Sequence, residues 1–166
     1  MDLRVQKTLK NIYDNFLSLR KKHSLSKVKV SELCQKARIN KSTFYRYYTD
    51  VFDLSDKLEN EALAELMNDL GELEYSITEP ARFIEAQLRA IQNHQDISIL
   101  FRNRAGICAE KLEASIRKRN LLATSTLEDD MKLSFVAGGV AYVFLNRKYD
   151  FELTFNALMD LINTLN

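Results

Sequence analysis

The sequence predicts an all-α protein of nine helices, on three observations. Only four glycines and one proline occur in 166 residues, so helices can run long between short joints. Apolar residues recur at i, i+3, i+4 and i+7 through most of the chain, the period of one buried helix face. No stretch of any length shows the period-two alternation of a strand, and there is no repeat or low-complexity segment.

Composition sets the bounds. An apolar content of 46% with 28% charged residues is ordinary for a soluble globule. The length allows one or two small domains and a core that needs no disulfides. The net charge of +1 conceals an asymmetry. Residues 1–50 hold 12 Lys/Arg against 4 Asp/Glu, whereas residues 51–166 hold 12 against 19. A basic head on an acidic body is expected of a DNA-binding domain joined to a regulatory one. Charge alone leaves open a solvated basic face with no partner.

The first helix is expected over about Leu3–His23, with Val5, Leu9, Ile12, Phe16 and Leu19 inward and Asp2 capping its start. Arg20-Lys21-Lys22 suit the negative end of its dipole, and equally suit attraction of DNA. Ser24–Lys29 reads as a loop. Residues 28–48, VKVSELCQKARINKSTFYRYY, then read as two short helices joined by a tight turn. Val30, Leu33, Cys34 and Ala37 form the apolar stripe of the second helix. Asn40 suits the N-cap of the third, its side-chain oxygen accepting an orphan amide. In Lys41–Tyr48 the rings of Phe44 and Tyr48 fall on the inner face, leaving Lys41, Ser42, Tyr45 and Arg46 outside. Such a face is rich in donors for phosphates and base edges, the form of a helix-turn-helix that reads DNA.

Asp50 caps an expected fourth helix from Val51 to about Leu70, buried along Leu54, Leu58, Ala62 and Leu66. Gly71–Thr78 is the expected boundary. It leaves a DNA-binding domain at 1–50, a connecting helix at 51–70, and a regulatory and dimerisation domain at 71–166. Pro80 suits the first turn of a fifth helix carrying Phe83, Ile84, Leu88 and Ile91. Ile97–Phe101 reads as the sixth. Ala105–Arg119 reads as the seventh, with Ile107, Cys108, Leu112 and Ile116 inward. Thr126–Arg147 is the eighth, and Phe151–Leu165 the ninth, striped by Phe151, Phe155, Leu158, Ile162 and Leu165.

The eighth helix is apolar nearly all round from Phe135 to Leu145, so it is buried on more than one side. Ala137, Gly138, Gly139 and Ala141 permit close approach of another helix. Two mid-helix glycines cost about 1 kcal/mol each relative to Ala, which packing against a partner would offset. The other reading makes this helix the monomer's central core.

On Val30-Ser31-Glu32-Leu33-Cys34, Ala37, Ile39-Asn40-Lys41, Ser42-Thr43-Phe44-Tyr45-Arg46-Tyr47-Tyr48 and Leu54, the chain resembles the TetR family of bacterial transcription regulators. The match covers about residues 5–60, with a weaker one over Phe135–Leu145 at Ala137-Gly138-Gly139. Two positions depart from the family. Arg38 stands where it usually has Gly, so either the turn is strained or its geometry differs. Val51 stands where it tends to carry a phosphate-directed Lys, so that contact is expected to be missing.

The resemblance implies a homodimeric, cytoplasmic regulator, in most members a repressor, on a near-palindromic operator in double-stranded DNA. Lys41 and Ser42 would meet base edges, and Arg46 a base or a phosphate. Thr43, Tyr45, Tyr47 and Lys29 would hold phosphates. The last two helices would form a four-helix bundle with a second copy, through Ala137, Gly138, Gly139, Ala141, Phe151, Phe155, Leu158 and Ile162. It also implies a small-molecule effector bound in the second domain. Tyr75, Phe83, Phe101, Phe135 and Tyr142 are open to reading as pocket or as core. Arg102 and Arg104 would meet an anionic ligand or sit in water.

Rival classes are weaker. No paired carboxylates, phosphate loop, metal-ligand cluster or nucleophile elbow appears, so neither an enzyme, a cofactor nor a metal is expected. His23 and His94 are isolated, and Cys34 and Cys108 lie far apart, Cys34 on an inner stripe. Leu3–Leu19 is amphipathic rather than a signal peptide, and Phe135–Leu145 is too short to span a bilayer. The remaining alternative is a helical protein-interaction module that has lost DNA binding. Arg38 and Val51 favour it; the donors Lys41, Thr43, Tyr45 and Arg46 count against it.

Overall fold

A computed structural model describes residues 2–69, 89–90, 93–118 and 126–145, with Glu152, Leu153, Asn156, Ala157 and Asp160. Its described helices are α1 (Leu3–Arg20), α2 (Val30–Lys36), α3 (Lys41–Tyr45), α4 (Val51–Asp69), α5 (Gln95–Leu100), α6 (Ala105–Lys118) and α7 (Leu127–Leu145), with a 3-10 turn at Leu25–Lys27. No strand occurs among the described residues, and the protein is all-α. Most of the expected fifth and ninth helices lies outside the described residues. Arg89 and Ala90 of the one, and Glu152, Leu153, Asn156, Ala157 and Asp160 of the other, are helical.

The chain divides into two compact units, Met1–Glu61 and Ala62–Asn166, with the division inside α4. In the first unit α1 packs on α2 and α2 on α3. Ile12, Phe16 and Leu19 of α1 are buried with Leu33, Cys34 and Ala37 of the second helix, Phe44 of the third, and Val51, Leu54 and Leu58 of α4. These are the helical-period positions, so burial follows the stripe.

The helix ends show which caps the sequence makes. Asp2 Oδ1 accepts the Arg4 amide at 2.9 Å and starts α1. That helix ends at Arg20 rather than His23, and Arg20 is fully buried. Its Nη1 donates to the His23 carbonyl at 2.9 Å, so it supports the helix end instead of facing a ligand. Asp50 Oδ1 accepts the amides of Phe52 and Asp53, both at 2.8 Å, and starts α4. Asp53 Oδ2 accepts the Thr49 amide at 2.8 Å, close to a reciprocal capping box. Asn40 occupies the N-cap of α3 in extended conformation, but its side chain makes no cap hydrogen bond. Its carbonyl alone joins the helix, accepting the Thr43 amide at 3.0 Å.

In the second unit α6 packs along α7. Cys108, Leu112 and Ile116 are buried, as are Ala137, Ala141 and Leu145. Ile107, expected inward, is exposed, because it sits one residue off that stripe. Arg117 joins the two helices: Nη1 donates to Asp130 at 2.7 Å, while Nη2 donates to Glu113 at 2.8 Å. The Glu113 bond, then the Asp130 bond, hold the guanidinium further toward its charged form. His94 Nε2 lies 2.7 Å from Asp69 Oδ2, tying the end of α4 to the start of α5. Among the described residues no helix is long and apolar enough to cross a membrane.

Candidate nucleic-acid interface

The turn between α2 and α3 positions everything that follows. Arg38 has φ 51°, a left-handed conformation. The Arg38 amide donates to the Gln35 carbonyl at 3.2 Å and the Ile39 amide to Cys34 at 3.0 Å. This pair of bonds is the Schellman motif that stops a helix. A glycine meets its geometry without cost, whereas an arginine gives up about 1 kcal/mol. Of the two options the sequence left open, the structure has the strained turn. A further bond secures it from outside: Asn11 Nδ2 of α1 donates to the Ala37 carbonyl at 2.6 Å. Asn15 Nδ2 in turn donates to Asn11 Oδ1 at 3.0 Å, which orients that amide.

Helix α3 is shorter than expected, ending at Tyr45, with one further turn through Tyr47 and Tyr48, whose amides donate to the Phe44 carbonyl at 3.0 and 3.1 Å. Phe44 is fully buried and anchors the segment. Tyr45 stands edge-on against it with centroids 5.5 Å apart, yet remains 55% exposed. Tyr48, expected in the core, is half-buried beside Phe44. Burial raises the Tyr48 phenol, and the carboxylates Glu61 and Asp53 add to it. Lys57 of α4 clasps the far end: its Nζ donates to the Tyr47 carbonyl at 3.1 Å, pairs with Asp53 at 3.1 Å, and lies 5.2 Å from the Tyr48 ring centroid. The Thr49 amide first, and Lys57 second, hold the Asp53 carboxyl below its ordinary range.

This scaffold turns Lys41, Ser42 and Tyr45 of α3 outward together with Arg46, its C-cap. Lys29, just before α2, is also exposed, while Thr43 and Tyr47 are half-buried. Sequence reasoning left out Lys27, Lys36 and Arg38, which are exposed on the same segment. Their signal was the lack of acids: Glu32 is the sole Asp or Glu between residues 26 and 48. Among the described residues, the side chains of Lys27, Lys29, Lys36, Arg38, Lys41 and Arg46 make no hydrogen bond or ion pair. Lys10, Lys57 and Arg117, elsewhere, are paired with carboxylates. Val51 is buried in the first unit, so that position presents an apolar group to the core.

The other expected interface lies on α7. Ala137 and Ala141 are buried, whereas Gly138 and Gly139 are partly exposed. A Cβ added at either glycine meets nothing within 4 Å among the described residues. Leu127, Met131, Phe135 and Tyr142 are at least 67% exposed and fall at helical spacing. Phe101 is fully buried. Phe151, Phe155, Leu158, Ile162, Tyr75 and Phe83 lie outside the described residues.

No protein-family model and no curated protein matches the chain. Among solved structures it is similar to the TetR family repressor AlkX from Dietzia sp. strain DQ12-45-1b, implicated in biodegradation of n-alkanes. The identity is 16% over 92% of this chain and 91% of that one, with a TM-score of 0.46. A likeness at that level carries no argument about function.

Proposed function

We propose that this chain is a sequence-specific DNA-binding transcription regulator of the TetR type, acting as a homodimer, with repression its expected sign. The observation that carries the reading is the cluster of exposed cations around α3 that make no ion pair among the described residues. Six cations and one acid on a segment of 23 residues form a potential that a polyanion relieves. The donors are of the right kinds: Lys41 and Ser42 for base edges, Arg46 for a guanine or a phosphate, Thr43, Tyr45, Tyr47 and Lys29 for the backbone. Phe44, Lys57 and the Asn11 bond hold these groups on a rigid base, which recognition by geometry requires.

A two-fold dimer suits a recognition helix of this length, because two copies about 34–36 Å apart read a near-palindrome. The exposed apolar line of α7 supports self-association, since water-facing Leu, Met, Phe and Tyr at helical spacing favour a partner helix. The regulatory role, with a small-molecule effector, falls to residues 71–166. An effector acts there by binding one of two conformations more tightly.

Selection from a random duplex library with purified protein tests the reading. Enrichment of a near-palindromic motif is the expected result. Folded protein that enriches nothing at low salt, and whose duplex binding does not fall with salt, would instead be a protein-interaction module.

A further inference from the structure

Arg38 is the residue of the helix-turn-helix whose backbone conformation works against its own side chain. We propose that Arg38 is a DNA-backbone anchor: its guanidinium binds a phosphodiester at the edge of the groove that α3 enters, and so fixes the register of that helix. The proposal rests on the DNA-binding reading above and adds to it a positioning residue.

Three observations carry it. The turn is set independently of the side chain. Two backbone bonds and the Asn11 amide determine its left-handed geometry, and none of them uses the guanidinium. Glycine would therefore complete the same turn without strain, and the turn's hydrogen bonds make no use of the arginine side chain. Next, the Arg38 side chain is exposed and makes no hydrogen bond or ion pair among the described residues. Exposed Lys36 and Lys41 stand two residues before it and three after, and the nearest acid in sequence is Glu32, six residues before it.

The third observation is position. Arg38 lies outside α3, three residues ahead of Lys41. When a helix enters the major groove by its N-terminal residues, the chain just before it passes over the lip of the groove, where the phosphates run. Phosphate contacts fix register and carry no base preference. A planar guanidinium meets a phosphate with two parallel bonds, which an ammonium cannot do. A Cα held by three hydrogen bonds turns that contact into a fixed reference point for α3.

The test is duplex binding by fluorescence anisotropy across a salt series, using the selected motif, for the wild type, Arg38→Gln, Arg38→Lys and Arg38→Gly. Arg38→Gln should bind about tenfold more weakly, and its slope of log K against log salt should flatten by about 1 for each protomer on the duplex. Its selected motif should be unchanged. Arg38→Lys should keep the slope but recover only part of the affinity. Arg38→Gly should match the glutamine variant on DNA while melting no lower than the wild type. Folded Gln and Gly variants with wild-type affinity and slope would overturn the proposal and leave the function standing. A wild type that binds no duplex at low salt would overturn both.

Discussion

Helices α3 and α7 both carry exposed side chains, and the two sets differ in kind. Exposed on α3 and its C-cap are Lys41, Ser42, Tyr45 and Arg46, all hydrogen-bond donors. The large apolar residues exposed on α7 are Leu127, Met131, Phe135 and Tyr142, beside exposed Glu128 and Ser134. In the proposed function the first meets a partner with charge and the second a partner with apolar surface. Salt separates the two. Counterion release makes the first association weaken steeply as salt rises, whereas apolar burial is indifferent to salt or strengthened by excluded salts such as sulfate.

The comparison can be broken from either side. The largest effect is expected at Phe135→Glu. Burying a phenylalanine is worth about 1.5–3 kcal/mol, and a two-fold interface counts it twice. Self-association should weaken by more than a hundredfold; a dimer mass in sedimentation equal to the wild type's would remove α7 from the interface. Next is Lys41→Ala, expected to lose about 1–3 kcal/mol of discrimination at one base pair. An unchanged motif after library selection would deny Lys41 a base-reading role. Tyr45→Phe should cost about 0.5–1.5 kcal/mol on every duplex alike, because one hydroxyl leaves a phosphate. Titrations on matched and scrambled duplexes check it, and a loss confined to the matched one would move Tyr45 among the base readers.

The smallest effect concerns the scaffold under α3. The Asp53 carboxyl is held below the ordinary carboxylate range, first by the Thr49 amide and then by Lys57. A depressed carboxylate contributes stability above its unfolded pKa and loses it as pH falls through the folded one. Asp53→Asn should therefore lower the urea midpoint at pH 7, and the gap should close as pH falls through the depressed carboxyl's range. Parallel curves at all pH values would mean that the charge plays no part.

Much of the fold was legible because the stripes are narrow. Ile12, Phe16 and Leu19, or Leu33, Cys34 and Ala37, could be placed from period alone, and all are buried. In the sequence Arg20 is one third of a basic run, yet it lies four residues after Phe16 and eight after Ile12, on the apolar side. The run of like charges hid the period. The turn was legible as a departure, since an arginine stood where glycine fits, but not which conformation it takes. The bond from Asn11 to Ala37, across 26 residues, is one reason the turn stays left-handed, and no local pattern announces it. On α3 the outward residues were readable from the position of Phe44. The unpaired state of Lys27, Lys36 and Arg38 was not, because pairing depends on which carboxylates the fold brings near.

Each compact unit holds one cysteine, Cys34 in the first and Cys108 in the second, and both are buried. Burial raises the Cys34 thiol, against a weaker opposing pull from Lys41. A buried thiol reacts only when its surroundings open, and only as its thiolate. The chain thus carries its own pair of chemical clocks. Under native conditions the labelling rate at Cys34 times the opening of the helix-turn-helix, and that at Cys108 the opening of the α6–α7 pair. Each rate can be followed separately by peptide mass, in the unaltered protein.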